Sequence, residues 1–466
     1  MLPALLATPA YYLSEAFRVV DVFNDQGSIM QLIRIVILLA GLAATVSAQD
    51  VGDSWPQFRG PLGTGEAPNA KPPVEWSETK NVRWKIDLPG LGHSTPVLWR
   101  DRLFVTAAVP FGPEFPGKPD TAPGAHDNLR VTQRHRFVVT AINRKDGEKL
   151  WSKTLFETVP HEGGHHTSSL ASASPVCDDK HVFAYFGSHG LFCLEHDGEL
   201  VWKKDLGDMQ SKHAHGEGSS PALYQNTLIV NWDHEGQSFI VAYDKNTGDE
   251  RWRKNRAELT SWSSPIVIEH KGQPQVIVCG SNAIRAYDLK DGSVIWSCSG
   301  LSMNVCATPV YSKGVLLAGS SYDTRNFLAI KVDGAKGDVT GSSNVLWSRK
   351  QGPPYVPSPL AYGGAVYYLR HYQGVLSRME IETGELVPGP MRLPSITDVY
   401  SSPVAADGRV YVTDLLGTTC VLEASAKPKL LARNKLDDSF SATAVMVGNE
   451  IYLRGKRHLY RISEDR

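Results

Sequence analysis

Between residues 81 and 463 the chain alternates short hydrophobic runs with clusters of Gly, Pro, Asn and Asp. In one stretch the runs fall at about 220–224, 227–232, 238–243 and 250–254. Runs this short, rich in β-branched and aromatic residues and bounded by turn formers, predict strands. The group of four then repeats. Ser219-Ser220-Pro221, Ala242-Tyr243-Asp244, Gly248 and Trp252 return as Ser263-Ser264-Pro265, Ala286-Tyr287-Asp288, Gly292 and Trp296, with 31 residues from Pro to Trp in each. Strand-opening positions are Pro96, Pro175, Pro221, Pro265, Pro309, Pro359, Pro403 and a degenerate Thr443, at intervals of 79, 46, 44, 44, 50, 44 and 40. A period in the forties with four strands per unit predicts an all-β, eight-bladed β-propeller.

The eighth repeat, 441–463, holds three strands. The fourth is found near the start, where Asn81-Val-Arg-Trp84-Lys-Ile-Asp-Leu88 reads like Lys149-Leu-Trp151-Ser-Lys-Thr-Leu155. An N-terminal strand is therefore expected to complete the last blade and close the ring, leaving no open sheet edge at the junction. Trp84, Trp151, Trp202, Trp252, Trp296 and Trp347 stand at the fourth-strand register. Pro388 and Leu431 take that place in the sixth and seventh blades. Turn glycines ahead of the tryptophans suit positive φ. The indoles are expected to dock neighbouring blades, where a flat ring covers a large apolar area.

The rest of the chain divides simply. Residues 1–48 read as an N-terminal extension and signal peptide: Met30 to Arg34 carries a positive charge, Ile35 to Ala44 is apolar, and Val46-Ser47-Ala48 ends in small residues. The apolar core is short for a membrane span, so a periplasmic or secreted protein is expected, with Met1 or Met30 as its start. Residues 49–80 form a Gly/Pro-rich lead-in with Trp55 and Phe58, read as an ordered strap on a propeller of residues 81–466. The formal net charge is −1, which gives no electrostatic case for nucleic acid. Six cysteines fall mostly in predicted strands; Cys298 and Cys306 flank one connection and either pair or remain buried thiols. There is no P-loop, no Gly-x-Ser-x-Gly and no dinucleotide fingerprint, hence no sign of nucleotide or acyl-transfer chemistry.

The repeat Ala-x-Asp-x-x-x-Gly-x-x-x-Trp, complete at Ala242/Asp244/Gly248/Trp252 and Ala286/Asp288/Gly292/Trp296, resembles the tryptophan-docking repeat of the pyrroloquinoline quinone (PQQ) propellers. Ala141/Asn143/Gly147/Trp151 carries Asn for Asp, Cys193/Glu195/Gly198/Trp202 is one residue shorter, and Ala329 to Trp347 holds an insertion. The lead-in Trp55-Pro-Gln-Phe-Arg-Gly60-Pro is similar to that of secreted PQQ-like repeat proteins. The resemblance implies one of two lives. Quinoprotein alcohol dehydrogenases of the family hold PQQ and calcium above the ring axis. Others, such as the outer-membrane assembly factor BamB, bind no cofactor and act as scaffolds. The adjacent cysteines usual in the dehydrogenases are absent here, as is the lipid-bearing cysteine of BamB.

Propeller topology sorts the loops. Connections between the second and third strands share a face with those between blades. Twelve of the fifteen histidines fall on or beside that face. They concentrate in His161-Glu162-Gly-Gly-His165-His166, in His189, in His213-Ala-His215-Gly-Glu217, and in Asp233-His234-Glu235. Imidazole and carboxylate together suit a borderline divalent metal, whereas the plainer reading is a hydrogen-bonded loop rim. Trp262, Asn282, Asn304, Asp323, Arg325, Tyr355, Arg370, Tyr372, Asp398, Tyr400 and Asp414 are further pocket candidates, and the proline-rich excursion at about 107–135 is a candidate lid. The expected function is a binding or scaffold module for a protein, small-molecule or polysaccharide ligand on this face. The alternatives are a PQQ/calcium-dependent alcohol or sugar dehydrogenase, and a metal-dependent enzyme using the histidines.

Overall fold

In the computed structural model, the described residues are 53–464 except Lys118 and Asp323. The signal-like segment and candidate Asp323 lie outside them. Eight antiparallel sheets follow one another along the chain, each with its strands, A to D, in sequence order. The third blade is typical: Ala222–Tyr224, Thr227–Trp232, Phe239–Asp244 and Glu250–Asn255. The eighth takes its D strand from the N-terminus, with Val82–Asp87 antiparallel to His458–Ser463 and Lys85 opposite Tyr460. This is an all-β, eight-bladed propeller closed by the strand Val82–Asp87. Two blades carry a fifth strand: Ser54–Trp55 on the A strand of blade 1, and Gly337–Asp338, within the blade 5 insertion, on the D strand of blade 4. The D strand of blade 6 shrinks to Met391–Arg392, where Pro388 replaces the expected tryptophan.

Each strand-opening proline sits one residue ahead of its A strand, as Pro221 does before Ala222 and Pro403 before Val404. The last repeat is offset by one. Ala444, and not Thr443, holds the proline position before Val445.

The tryptophans dock as the chemistry of indole requires. The Nε1–H groups of Trp84, Trp151, Trp202, Trp252 and Trp347 donate to the carbonyls of Arg144, His196, Lys245, Leu289 and Ile381 in the next blade, at 2.8–3.1 Å. The next blade's turn glycine lies flat on the ring. A Cβ on Gly147, Gly198, Gly248, Gly292 or Gly384 would stand 2.5–3.0 Å from the indole of Trp84, Trp151, Trp202, Trp252 or Trp347 respectively. Glycine thus serves twice, by positive φ and by leaving room for the ring. Trp296 differs: it is fully buried but donates to Gln275 Oε1 in its own blade, because the blade 5 insertion replaces the usual turn.

The lead-in enters the ring axis. Ser54 and Trp55 pair with the inner strand of blade 1, Pro56 accepts from Cys177 N in blade 2, and Ala67 N donates to Ala405 O in blade 7. Arg59, 2 % exposed, donates to the carbonyls of Pro359 and Pro403 in blades 6 and 7. A segment touching inner strands on both sides of the ring fills the space between them. All six cysteines are free thiols, so Cys298 and Cys306 are not bridged. Among the described residues no helix is long and apolar enough to cross a membrane.

The docking geometry predicts a difference between glycines of like conformation. Gly248→Ala (φ +72°) meets Trp202, whereas Gly408→Ala (φ +73°) has open space around it. Both bear the positive-φ cost of about 1 kcal/mol, and Gly248→Ala should lose a further 1–3 kcal/mol, roughly, from overpacking. Equal losses in denaturant melts would show that the turn alone demands glycine.

Candidate functional site

The floor of the site comes from the repeat itself. The residue before each strand-opening position is hydroxylic: Thr95, Ser174, Ser220, Ser264, Thr308, Ser358, Ser402 and Thr443. Each of the first seven donates its backbone N–H to the hydroxyl of the next in the series, at 2.9–3.1 Å. The result is a buried belt of eight hydroxyl residues round the axis. They line a cavity of ≈ 820 Å³, together with Phe58 of the lead-in. Strand reasoning treated Ser-Ser-Pro only as a strand opener. The recurrence of Ser or Thr before every proline was the visible signal of the belt.

One wall is histidine. His126, on the excursion from blade 1, has its ring centroid 5.1 Å from His213 and 4.8 Å from His215. His165 lies 4.3 Å from His166 and 4.9 Å from His215. The excursion reaches this wall because Asn128–Leu129 pairs with Gly164–His165, and because Asn128 Nδ2 donates to the His213 carbonyl. The opposite wall is aromatic. Tyr355 stacks on His371 at 4.6 Å and 10°, Tyr322 on Tyr355 at 6.0 Å and 24°, and Tyr372 on Tyr400 at 5.9 Å and 17°. Trp262, held by its Nε1–H on the Gly216 carbonyl, completes the circuit with Asn304 and Asp398.

Of the predicted residues, His165, His166, His213, His215 and Glu217 meet in this cavity. His161, His189 and Asp233 line a neighbouring cleft between blades 2 and 3, which Glu217 also borders. The others have structural work. Asp233 forms a buried two-pronged pair with Arg256 at 2.7 and 3.0 Å and accepts from Ser261. Glu235 accepts from Thr260 N and Oγ1, and Glu162 from Ser211 N and Oγ, so both tie down loop amides. His234 joins Gln210 N to the Gln237 carbonyl. His161 Nε2 donates to the Met209 carbonyl. His189 packs 4.2 Å from Phe137, and its burial pulls its pKa down to about 3, so it is a neutral core ring. The sequence pattern gives no sign that His126, Phe58, Tyr322 and Asp127 belong to the cavity.

Electrostatics give the cavity a sign. Asp127, Glu217 and Asp398 line it, and none of its described lining residues is Lys or Arg. Burial lowers His215 to about 4, and His165 shifts down for the same reason, so both are neutral at pH 7. Glu217 accepts from Ser188 N and Oγ over Gly187, where any Cβ would strike the carboxylate. Burial raises it to about 7, against the lowering effect of those bonds.

Residues 135–387 match the family model described as "Outer membrane protein assembly factor BamB". That is more than half of the chain. The protein belongs to this PQQ-repeat propeller family. Its sequence is 23% identical over 282 residues to tetrathionate hydrolase of Acidithiobacillus ferrooxidans, matching 56% of this chain and 51% of that protein. It therefore spans about half the length of that relative. Among solved structures, BamB from Moraxella catarrhalis superposes with a TM-score of 0.51 at 13% identity, over 78% of this chain and 98% of that one. A europium-containing methanol dehydrogenase gives 0.60 at 10%, over 89% and 98%. At such identities the likeness is one of fold.

A quinone with calcium is the group this fold suggests, and the cavity does not suit it. PQQ is a tricarboxylate, and the described lining offers carboxylates, hydroxyls and imidazoles but no Lys or Arg. Calcium takes six to eight oxygen ligands. Yet among the described residues the one group of three His, Cys, Asp or Glu side chains with ligand atoms within 4.8 Å of each other is Glu195, Asp197 and Glu199, exposed at a turn of blade 2 and outside the cavity.

The buried rings predict an acid-side loss of stability. Unfolded His189 takes up a proton near 6.5, but the folded ring does so only at about 3. Between those values the unfolded state binds more protons, so stability falls as pH falls. Glu217, raised above its ordinary 4.5, has the opposite slope up to about 7. The difference between wild type and His189→Gln isolates the ring. Wild type should lose ground to the variant by up to about 1.4 kcal/mol per pH unit below 6.5, and parallel melting curves would refute the assignment.

Proposed function

We propose that this propeller is an exported binding module whose axial cavity takes a polyhydroxy ring ligand of the saccharide class. The observation that carries the reading is the pairing of stacked tyrosines on one wall with a floor of hydroxyls in a cavity of ≈ 820 Å³. Aromatic faces cover the C–H faces of a sugar ring, while hydroxyls and imidazole nitrogens exchange hydrogen bonds with its edge. A cavity lined by no Lys or Arg among its described residues favours a neutral ligand over an anionic one. The family holds proteins named for assembly at the outer membrane, which agrees with binding as the working principle.

Export rests on the pattern of Met30 to Ala48. N-terminal sequencing of the mature protein should find a start near Gln49; a retained Met30 would count against cleavage.

Binding is tested by calorimetric titration with a panel of mono- and oligosaccharides, with Trp262 fluorescence as a second readout. Tyr355→Ala and Tyr400→Ala should each weaken the best ligand about tenfold or more, a change of about 1.4 kcal/mol. No saccharide bound at millimolar concentration, or variants indistinguishable from wild type, would overturn the reading. So would stoichiometric uptake of PQQ with Ca²⁺ followed by dye-linked alcohol oxidation, which would establish the dehydrogenase alternative.

A further inference from the structure

We propose that His126, His213 and His215 form a binding site for a borderline divalent transition-metal ion, of the zinc or copper class, in the wall of the axial cavity, with His165 beside it. The inference shares the cavity with the saccharide reading but does not depend on it.

Three separate segments build the cluster: the blade 1 excursion, the connection from blade 1 to blade 2, and that from blade 2 to blade 3. They bring imidazoles to ring spacings of 4.8–5.3 Å between His126, His213 and His215, with His165 4.9 Å from His215. Hydrogen bonds to backbone fix the tautomers. His126 Nδ1 lies 2.8 Å from the Gly124 carbonyl and His213 Nδ1 3.0 Å from the Pro123 carbonyl. Neighbouring His166 Nδ1 lies 3.2 Å from the Asp127 carbonyl. A carbonyl only accepts, so Nδ1 of His126, His213 and His166 carries a proton and Nε2 is the atom left for a metal. That is the orientation outer partners impose on metal-binding histidines. His165 Nδ1 instead accepts from Thr167 N at 3.3 Å, which puts that ring's proton on Nε2 and leaves His165 a neighbour of the site, not a ligand. Gly124 allows the approach, since a Cβ there would lie 2.8 Å from His213 Nδ1.

A second observation points inward. His215 Nε2 is buried without a hydrogen-bond partner. A polar nitrogen shut away like this costs free energy unless something bonds it. The surroundings favour a cation, with Asp127 and Asp398 in the lining. His213 also holds a positive φ of 57°, an unfavourable conformation for a side-chain-bearing residue that the surrounding loop enforces. The Nε2 atoms do not yet converge on one point. Zn–N bonds of about 2.0–2.1 Å require the rings to turn about their side-chain torsions, which for the exposed His126 means giving up its bond to the Gly124 carbonyl.

The full-length protein is stripped with a chelator and titrated with Zn²⁺ and Cu²⁺ by calorimetry, with retained metal counted by mass spectrometry. Co²⁺ absorption reports nitrogen coordination. One ion per chain is expected. Affinity should fall about 10–100-fold in His215→Gln, by analogy with loss of an orienting group, and further in His126→Ala/His215→Ala. Glu195→Gln/Glu199→Gln should leave it unchanged. His126→Gln alters an exposed ring and so keeps the fold intact if the double variant fails to fold; it should still weaken Co²⁺ binding. No uptake at equimolar metal, uptake indifferent to the histidine variants, or uptake abolished by the acidic pair would each overturn the proposal. Failure of sugar binding would leave it standing, because metal is read directly.

Discussion

The hydroxyl belt is the constraint on which the rest of the structure depends. Proline opens each of the first seven A strands and has no N–H, so the residue before it carries the last free donor before the ladder begins. Proline also confines that residue to extended conformations. Its N–H then points round the axis to the next blade. A serine or threonine there supplies an acceptor at 2.9–3.1 Å, and the relation repeats from Thr95 to Thr443. Each such bond contributes about 1 kcal/mol net. A lost hydroxyl would also strand a buried N–H, so the belt fixes the blade entries more strongly than that sum suggests. With the entries fixed, so is the width of the axis. The tryptophans act at the opposite radius, joining D strands to the next blade by indole bonds and flat contact with glycine.

A ring of fixed width leaves a channel to fill. The lead-in fills it with Trp55, Phe58 and Arg59. Arg59 has only carbonyl acceptors around it, and burial without a carboxylate lowers its pKa to about 9. Arg454, bonded to Ser94 and the Thr106 carbonyl, is in the same position and shifts equally. Both cations are held by backbone oxygens of the inner strands. They tie the lead-in and blade 8 to the axis without adding a carboxylate that would change the charge of the cavity.

The architecture was legible because it is written as a repeat. Ala242/Asp244/Gly248/Trp252 and its copies give period, register and ring closure, down to Val82–Asp87 completing the last blade. The sorting of loops by face was legible too, and it put His165, His166, His213 and His215 on one rim. What the sequence hid was which polar groups have free valence. Asp233, Glu235 and Glu162 read like metal ligands, but a carboxylate accepts from an amide, a hydroxyl or a guanidinium as readily as it binds an ion. Arg256, Thr260 and Ser211 occupy them. His189 read like its neighbours but lies against Phe137. The reverse happened at His126, whose remote position in a proline-rich excursion gave no hint that Asn128 and Leu129 would pair with Gly164 and His165. Local pattern specifies a blade, while contacts between connections of different blades depend on loop paths that no period encodes.

The sign of the cavity then separates this chain from what its fold would suggest. Fold likeness to a methanol dehydrogenase extends over most of the ring, yet the ring is made by belt, glycine and tryptophan, none of which faces a ligand with charge. Chemistry rests on the connections, which vary without disturbing those three devices. Here they contribute imidazoles held neutral by burial, tyrosines in stacks and three acidic side chains. Such a lining repels a polyanion and favours a neutral ring or a cation. Basic side chains introduced on the connections would leave the belt intact, because its hydrogen bonds run through backbone donors and hydroxyls set below the connections. The same independence leaves the ring unchanged while the connections, and the chemistry they carry, vary.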